Sequence, residues 1–548
     1  MRVLAALLGL LSTSATALSI HLPSGQVPLE ADSFDFKDVC PLAPKVSPPA
    51  DGLHPSSKFV EDDAIKLKQA ERLSKAVQIP STSTEAVTDP YDDYFAPFLD
   101  LHRVLGELFP LTHAYARVEK VNRLGLIFTL NGTNDAVKPL LLTAHQDVVP
   151  IDDASDWTYP PFSGHFDGQW LWGRGASDCK NVLIGLLSAV EDLLQQGWEP
   201  TRTVVLAFGF DEESHGWGGA GEIAKVLEKR YGRDSFELVL DEGGMGLRTL
   251  GDVVYALPGV GEKGSIDLHL ALSIDGGHSS VPPPHTGIGI IAEIIYHLER
   301  DDLFVPRLDE KHPSRKTLEC QARHSPEHVE PWLASALESD DYVGLAEAVA
   351  ASRGDVIRFT YQTSQAVDLI KGGVKINALP EKVNATVNYR VALHESPDFV
   401  KARAVKIIKP IVEKYNLSFS AFGSGDDSSS NHLSLTTPGI PLVPAPISPT
   451  DVRKDAVWAR FSGVARSVFE SVPSLAGKKV VVSGDVMTGN TDTRFYWNLT
   501  RNIYRWSPTR AGGSANIHTV DERLDIAVHL EGLALYYDLI RSFDKWES

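Results

Sequence analysis

Imidazole and carboxylate side chains that could hold metal fall at five places in this chain, three of them at the ends of short apolar runs. His145 and Asp147 stand in LLLTAHQDVV, Asp178 in GRGASDCKN, Glu212 and Glu213 in FGFDEES, Asp241 in LVLDEGG, and His518 in SANIHTVDE. Neutral imidazole and carboxylate suit zinc, and two ions about 3.5–4 Å apart can share a water whose pKa falls toward neutrality. Such a set supports hydrolysis by a metal-activated water. Taken alone, each residue reads more simply as a surface carboxylate or a satisfied histidine. The weight rests on the set.

Something must bring these residues together. The runs PLLLTA, TVVLAFGF and FELVL are short and apolar throughout, as strands buried on both faces are. Open α/β sheets bind ligands beyond the carboxyl ends of their strands, so residues distant in sequence can share one crevice. Between Val118 and Gly264, strands expected at 138–144, 203–210 and 237–240 alternate with helices at 181–196 and 219–231. That alternation predicts an α/β fold with a mostly parallel sheet and flanking helices. At a strand end adjacent side chains point to opposite sides, so one of Glu212 and Glu213 can hold metal while the other faces the water. Asp147, two residues after His145, points to the same side and suits an orienting partner of that imidazole rather than a ligand.

After Glu262 the pattern changes. A strand at 265–274 alternates strictly, a helix at 288–298 follows, and a charged helical stretch fills 301–353. Strands near 356–363 and 381–391, a helix at 397–415 and a strand near 417–422 complete an α+β, ferredoxin-like order. The expected organisation is a signal peptide at 1–17, an extended arm at 18–60, a catalytic domain in two parts at 61–262 and 441–548, and an inserted lid or dimerisation domain at 263–440. The tail must rejoin the first part if His518 is to contribute.

A formal net charge of −20 on 548 residues repels phosphate backbones, which argues against a nucleic-acid partner. The first residues, MRVLAALLGLLSTSATALS, have the layout of a secretory signal with cleavage after Ala17. No later segment approaches the ~20 apolar residues that span a bilayer. The expected location is the secretory pathway, ending in the extracellular space or a vacuolar lumen. Acceptor triplets at Asn131, Asn384, Asn416 and Asn498 fit that route. Three cysteines at wide spacing form no disulfide framework. With Cys179 beside a proposed ligand, the natural bridge would join Cys40 to Cys320, and nothing else in the sequence supports it.

In matched order and spacing, AHQDVVP, WTYPPFSG, GRGASDCKN, DEES, LDEGG, GGHSSVPPP and IHTVDE resemble the carboxypeptidase S branch of the aminoacylase/glutamate-carboxypeptidase family of di-zinc hydrolases. The resemblance runs from about residue 60 to the C-terminus. It implies that His145 and Asp241 hold one zinc, Glu213 and His518 the other, and that Asp178 bridges them, with cobalt or manganese as other metals such donors accept. It implies Glu212 as general base, His278 of GGHSS as the group polarising the scissile carbonyl, and Asn377 and Arg390 as the grip on a free substrate carboxylate. It also implies a cis peptide at Asp178–Cys179, and Cys179 stands where the family usually has a second Asp. Asp492 and Arg494 look like its late site-lining loop. The implied activity is removal of a C-terminal residue from short peptides, or hydrolysis or synthesis of N-acyl amino acids at the same site. A homodimer through the inserted domain belongs to the same expectation. A cysteine hydrolase built on Cys179 lacks a histidine partner.

Overall fold

A computed structural model describes residues 39–300, 304–423 and 431–547. The proposed signal peptide and residues 18–38 of the proposed arm lie outside the described residues. From Val39 the chain runs extended to the short helix Ser57–Glu61, and Cys40 is bridged to Cys320. The bridge that composition left unsupported is therefore present.

The main sheet has eight strands. Its centre is the parallel set Val204–Gly209, Leu140–His145, Leu238–Asp241 and Ile503–Arg505. Antiparallel strands Gly125–Leu130 and Arg117–Val121 extend one side, and Gly259–Glu262 and Asp485–Met487 the other. The apolar runs occupy the centre because both faces are covered. Leu140, Leu142, Leu206, Phe208, Leu238 and Leu240 pack into one core with helices Lys180–Gln195 and Ile526–Asp544. Leu141, Val205, Ala207 and Val239 point the other way, into a core shared with helix Ala220–Tyr231. Truncating one such leucine to alanine costs about 2–5 kcal/mol. Register pairs His145 with Gly209 and Leu142 with Leu240, so three carboxyl ends open side by side.

The second sheet has five strands in the order Ser364–Gly372, Lys382–Val391, Gly264–Ser273, His432–Thr436 and Ser418–Ala421. Strand Gly264–Ser273 alternates buried and half-buried residues along its whole length. Its buried face, Ile266 to Leu272, packs with Ile290, Ile291 and Ile294 of helix Gly287–Leu298 and with Ile408 of helix Pro397–Lys414. Residues 304–353 carry helices Pro313–His324, Leu333–Glu338 and Tyr342–Arg353.

One expected strand differs. Residues 356–363 do not pair: Asp355–Arg358 is a helical turn and the strand begins at Ser364. The buried Lys263 ammonium takes the carbonyls of Phe359 and Gln362, and the Tyr361 ring is fully buried with its hydroxyl donating to Ala346. The strand expected near 417–422 is present as Ser418–Ala421 at the sheet edge, and the short strand His432–Thr436, which the sequence did not mark, lies between it and Gly264–Ser273.

Candidate metal centre

His145 ends its strand, buried, with Nδ1 2.9 Å from the Asp147 carbonyl oxygen. Donation there leaves Nε2 facing Asp178 Oδ1 at 3.1 Å. Asp178 lies in the turn before helix Lys180–Gln195, and the Asp178–Cys179 peptide is cis. Its other oxygen is 3.1 Å from His518 Nε2, which in turn is 3.0 Å from Glu213 Oε1. His145, Asp178, His518 and Glu213 thus form one continuous chain of donors. His145, Glu212 and Glu213 also converge, with ligand atoms within 4.8 Å of one another.

Buried Asp147 organises more than the imidazole. Its carboxylate accepts the backbone N–H groups of Glu212 at 3.2 Å and Glu213 at 3.0 Å, and the Ser83 hydroxyl at 2.6 Å. Strand pattern shows the orienting of His145. It gives no sign of Ser83, which lies 64 residues upstream.

Negative charge is in excess here. Burial pushes the Glu212 carboxyl well above its ordinary range and repulsion from Glu213, Asp147 and Asp178 adds to it, against the pull of His145. Burial likewise raises Glu213 against its hydrogen bond from His518. Burial also pushes Asp178 up, but the imidazoles of His145 and His518 outweigh it and hold the carboxyl below its usual range. Hydrogen bonds donated to the Asp178 and Glu213 carboxylates lift His518 to about 10. Crowded buried carboxylates beside two imidazoles are the donor set a pair of divalent cations takes.

Asp241 ends its strand with Oδ2 buried and unpartnered, and it joins none of the clusters whose atoms converge on one point among the described residues. Glu242, which the sequence did not single out, feels Asp178, His145 and Glu212 in addition to burial, and is pushed well above its ordinary range. Asp492 is buried with Oδ1 unpartnered, nested against two glycines: a Cβ at Gly216 would stand 2.1 Å from Oδ1, and one at Gly209 2.6 Å from Oδ2. Arg494 instead donates to the His215 carbonyl and stacks on Phe495 at 4.9 Å.

The candidates between residues 263 and 440 stand apart. His278 is exposed on the short ribbon Gly277–His278, its Nδ1 accepting from the Ser280 N–H at 3.1 Å. Asn377 is exposed, its carbonyl accepting from Ser279 at 3.2 Å. Neither bonds to the metal-centre residues among the described residues. Arg390 is half-buried and donates to Asn490 Oδ1 at 2.9 Å, and Asn490 donates to the Lys263 carbonyl at 2.6 Å.

The sequence profile of peptidase family M20/M25/M40 matches residues 141–542. A putative carboxypeptidase of Saccharomyces cerevisiae is 37% identical, covering 98% of this chain and 94% of its own. Carboxypeptidase S of the same yeast is 37% identical over 90% of this chain and 87% of its own. An N-fatty-acyl-amino acid synthase/hydrolase of Danio rerio is 30% identical over 87% and 86%. Among solved structures, human carnosine dipeptidase 1 superposes with a TM-score of 0.62 at 14% identity, covering 90% of this chain and 98% of that one. An M20 family metallo-carboxypeptidase of Sulfolobus solfataricus gives 0.58 at 18% identity, covering 86% and 98%.

Proposed function

The chain belongs to peptidase family M20/M25/M40, and on that footing we propose that it is a di-zinc carboxypeptidase removing the C-terminal residue of short peptides. The observation that carries this reading is the unbroken contact from His145 through Asp178 and His518 to Glu213, with Glu212 beside it. In the proposal His145 would hold one metal with Asp241 or Glu242, Glu213 and His518 would hold the other, and Asp178 would serve both. When bound, the metals polarise the scissile carbonyl and acidify a water. Cobalt or manganese would be accepted by the same donors.

The chain's own residues do the rest. Glu212 takes the proton from the attacking water and delivers it to the leaving nitrogen, held in place by its backbone N–H on Asp147. Arg390 and Asn377 grip the substrate's free carboxylate, for which the paired donors of a guanidinium are suited. His278 donates to the oxygen that gains charge once the second sheet closes over the site. Residues 263–440 act as the lid, and their edge strand Ser364–Gly372 offers a homodimer its contact. Passage through an oxidising compartment is supported by the Cys40–Cys320 bridge and by exposed Asn131 and Asn416. Among the described residues, no helix is long and apolar enough to cross a membrane.

The similarity to an N-fatty-acyl-amino acid synthase/hydrolase supports a second reading, in which the acyl side is a fatty chain. Mass spectrometry of products from dipeptides, C-terminally blocked dipeptides and N-acyl amino acids, with zinc-loaded protein, decides. The proposal expects dipeptides with a free carboxylate to be cleaved and EDTA to stop the reaction. Turnover of N-acyl amino acids alone would transfer the site to the second reading.

A further inference from the structure

The turn that carries Asp178 is wrapped around a carboxylate from the far end of the chain. Glu522 is fully buried. Its Oε1 accepts three backbone N–H groups, from Gly175 at 3.1 Å, Ser177 at 2.9 Å and Asp178 at 3.1 Å. Its Oε2 accepts from Arg174 Nη1 at 2.7 Å, and its own carbonyl accepts from Gly173 N–H at 2.9 Å. The 173–178 turn therefore closes on one side chain.

That side chain also terminates the His518 loop. Asn516, His518 and Asp521 all lie in the left-handed region, with φ of 62°, 61° and 62°, and the Asn516 amide donates to the Val520 carbonyl at 2.9 Å. Such a tight loop keeps its shape only if its end is fixed, and Glu522 is that end. From it the His518 imidazole reaches 3.1 Å from Asp178 and 3.0 Å from Glu213. Asp147 does the same for the opposite side of the centre by accepting the N–H groups of Glu212 and Glu213.

We propose that Glu522 is a positioning residue that locks the Asp178 turn to the His518 loop, so that the two side chains present their donors to the metal as one preformed unit. It does not touch the reacting atoms. Acceptance by one oxygen of three N–H groups, with a guanidinium on the other, needs a carboxylate. Glutamine would set an NH2 group against a donor on one side or the other, and aspartate, a methylene shorter, could not reach both sets. Groups that orient ligands from behind typically account for about 10–100-fold in metal affinity.

The inference rests on reading Asp178 and His518 as metal ligands, and the experiment separates the two. Metal-free full-length chain is titrated with zinc against a chelator and with cobalt by visible absorption, for the unsubstituted protein and for Glu522→Gln, Glu522→Asp and Asp521→Asn. Asp521 accepts from Thr158 in the same loop but touches none of the 173–178 N–H groups, so it controls for general loosening. The expected result is about 10–100-fold weaker binding and an altered cobalt spectrum in both Glu522 variants, with Asp521→Asn unchanged. Should Glu522→Gln fail to fold, Glu522→Asp carries the test alone. Normal affinity and spectrum in a Glu522 variant that merely melts earlier would overturn the inference, as would equal losses in all three. Failure of the unsubstituted chain to bind either metal would instead remove the metal reading itself.

Discussion

The two sheets differ in what they bury and in what they leave open. The central strands of the eight-stranded sheet are buried at every position, because helices cover both faces. Only the carboxyl ends remain for chemistry, and there His145 and Asp241 are buried, His518 stays exposed, and the proposed ligands are tied from behind by Asp147 and Glu522. Strand Gly264–Ser273 of the second sheet buries alternate residues, since helices pack on one face alone. The proposed contributors His278 and Asn377, on and beside a separate two-stranded ribbon, are exposed, and among the described residues they bond only to residues close to that ribbon. On the proposed reading, a site divided in this way would keep a rigid half that binds metal before substrate arrives and an open half that is useful only on closure.

The largest expected effect lies in the rigid half. Replacing Glu212 by Gln keeps shape and removes the proton acceptor, so kcat should fall about 10²–10⁴-fold with metal content near that of the unsubstituted chain. Glu213→Gln should lower metal occupancy instead, measured by atomic absorption. Equal metal loss in both variants would mean the adjacent pair has been assigned in reverse.

His278→Ala tests the open half. If the ribbon reaches the scissile carbonyl only on closure, both metals stay bound and the fold persists while kcat falls about 10²–10³-fold, the usual loss of one oxyanion donor. KM should move little, because the contact forms chiefly in the transition state. A variant with normal kcat would leave the second sheet a binding role alone.

The same division explains what the sequence disclosed. Apolar runs of strand length, each ending in a carboxylate or imidazole, announce a parallel sheet and the polar groups at its carboxyl ends from local pattern. The clamps have no local signature: Glu522 lies 344 residues from Asp178, and the Cys40–Cys320 bridge spans 280. Strand His432–Thr436 is short and partly polar, so its pairing with Gly264–Ser273 shows only in three dimensions. Residues 356–363 carry the β-branched and aromatic types of a strand, but tertiary contacts to Lys263 and Ala346 override that preference.

Asp241 and Glu242 sharpen the rigid half at its least settled point. The residue that completes the His145 side should, when neutralised as Asp241→Asn or Glu242→Gln, weaken one of two metals by about 10–100-fold, taking the loss typical of an orienting partner as the lower bound. The other variant should bind both. Isothermal titration that found two unaltered metals in each would place the remaining ligand elsewhere.

The smallest effect belongs to the link between the halves. Arg390 is held by Asn490, whose amide rests on the Lys263 carbonyl where the chain passes from one sheet to the other. If this guanidinium meets the substrate carboxylate, amidating a peptide's C-terminus forfeits a charge-assisted bond of about 1.5–3 kcal/mol, roughly 10–150-fold in kcat/KM. Arg390→Ala should then bring the acid and amide substrates to the same low rate, since the group that tells them apart is gone. A variant that still preferred the acid by the full margin would put carboxylate recognition on another cation. The open half would then contribute His278 without setting the polarity of the substrate.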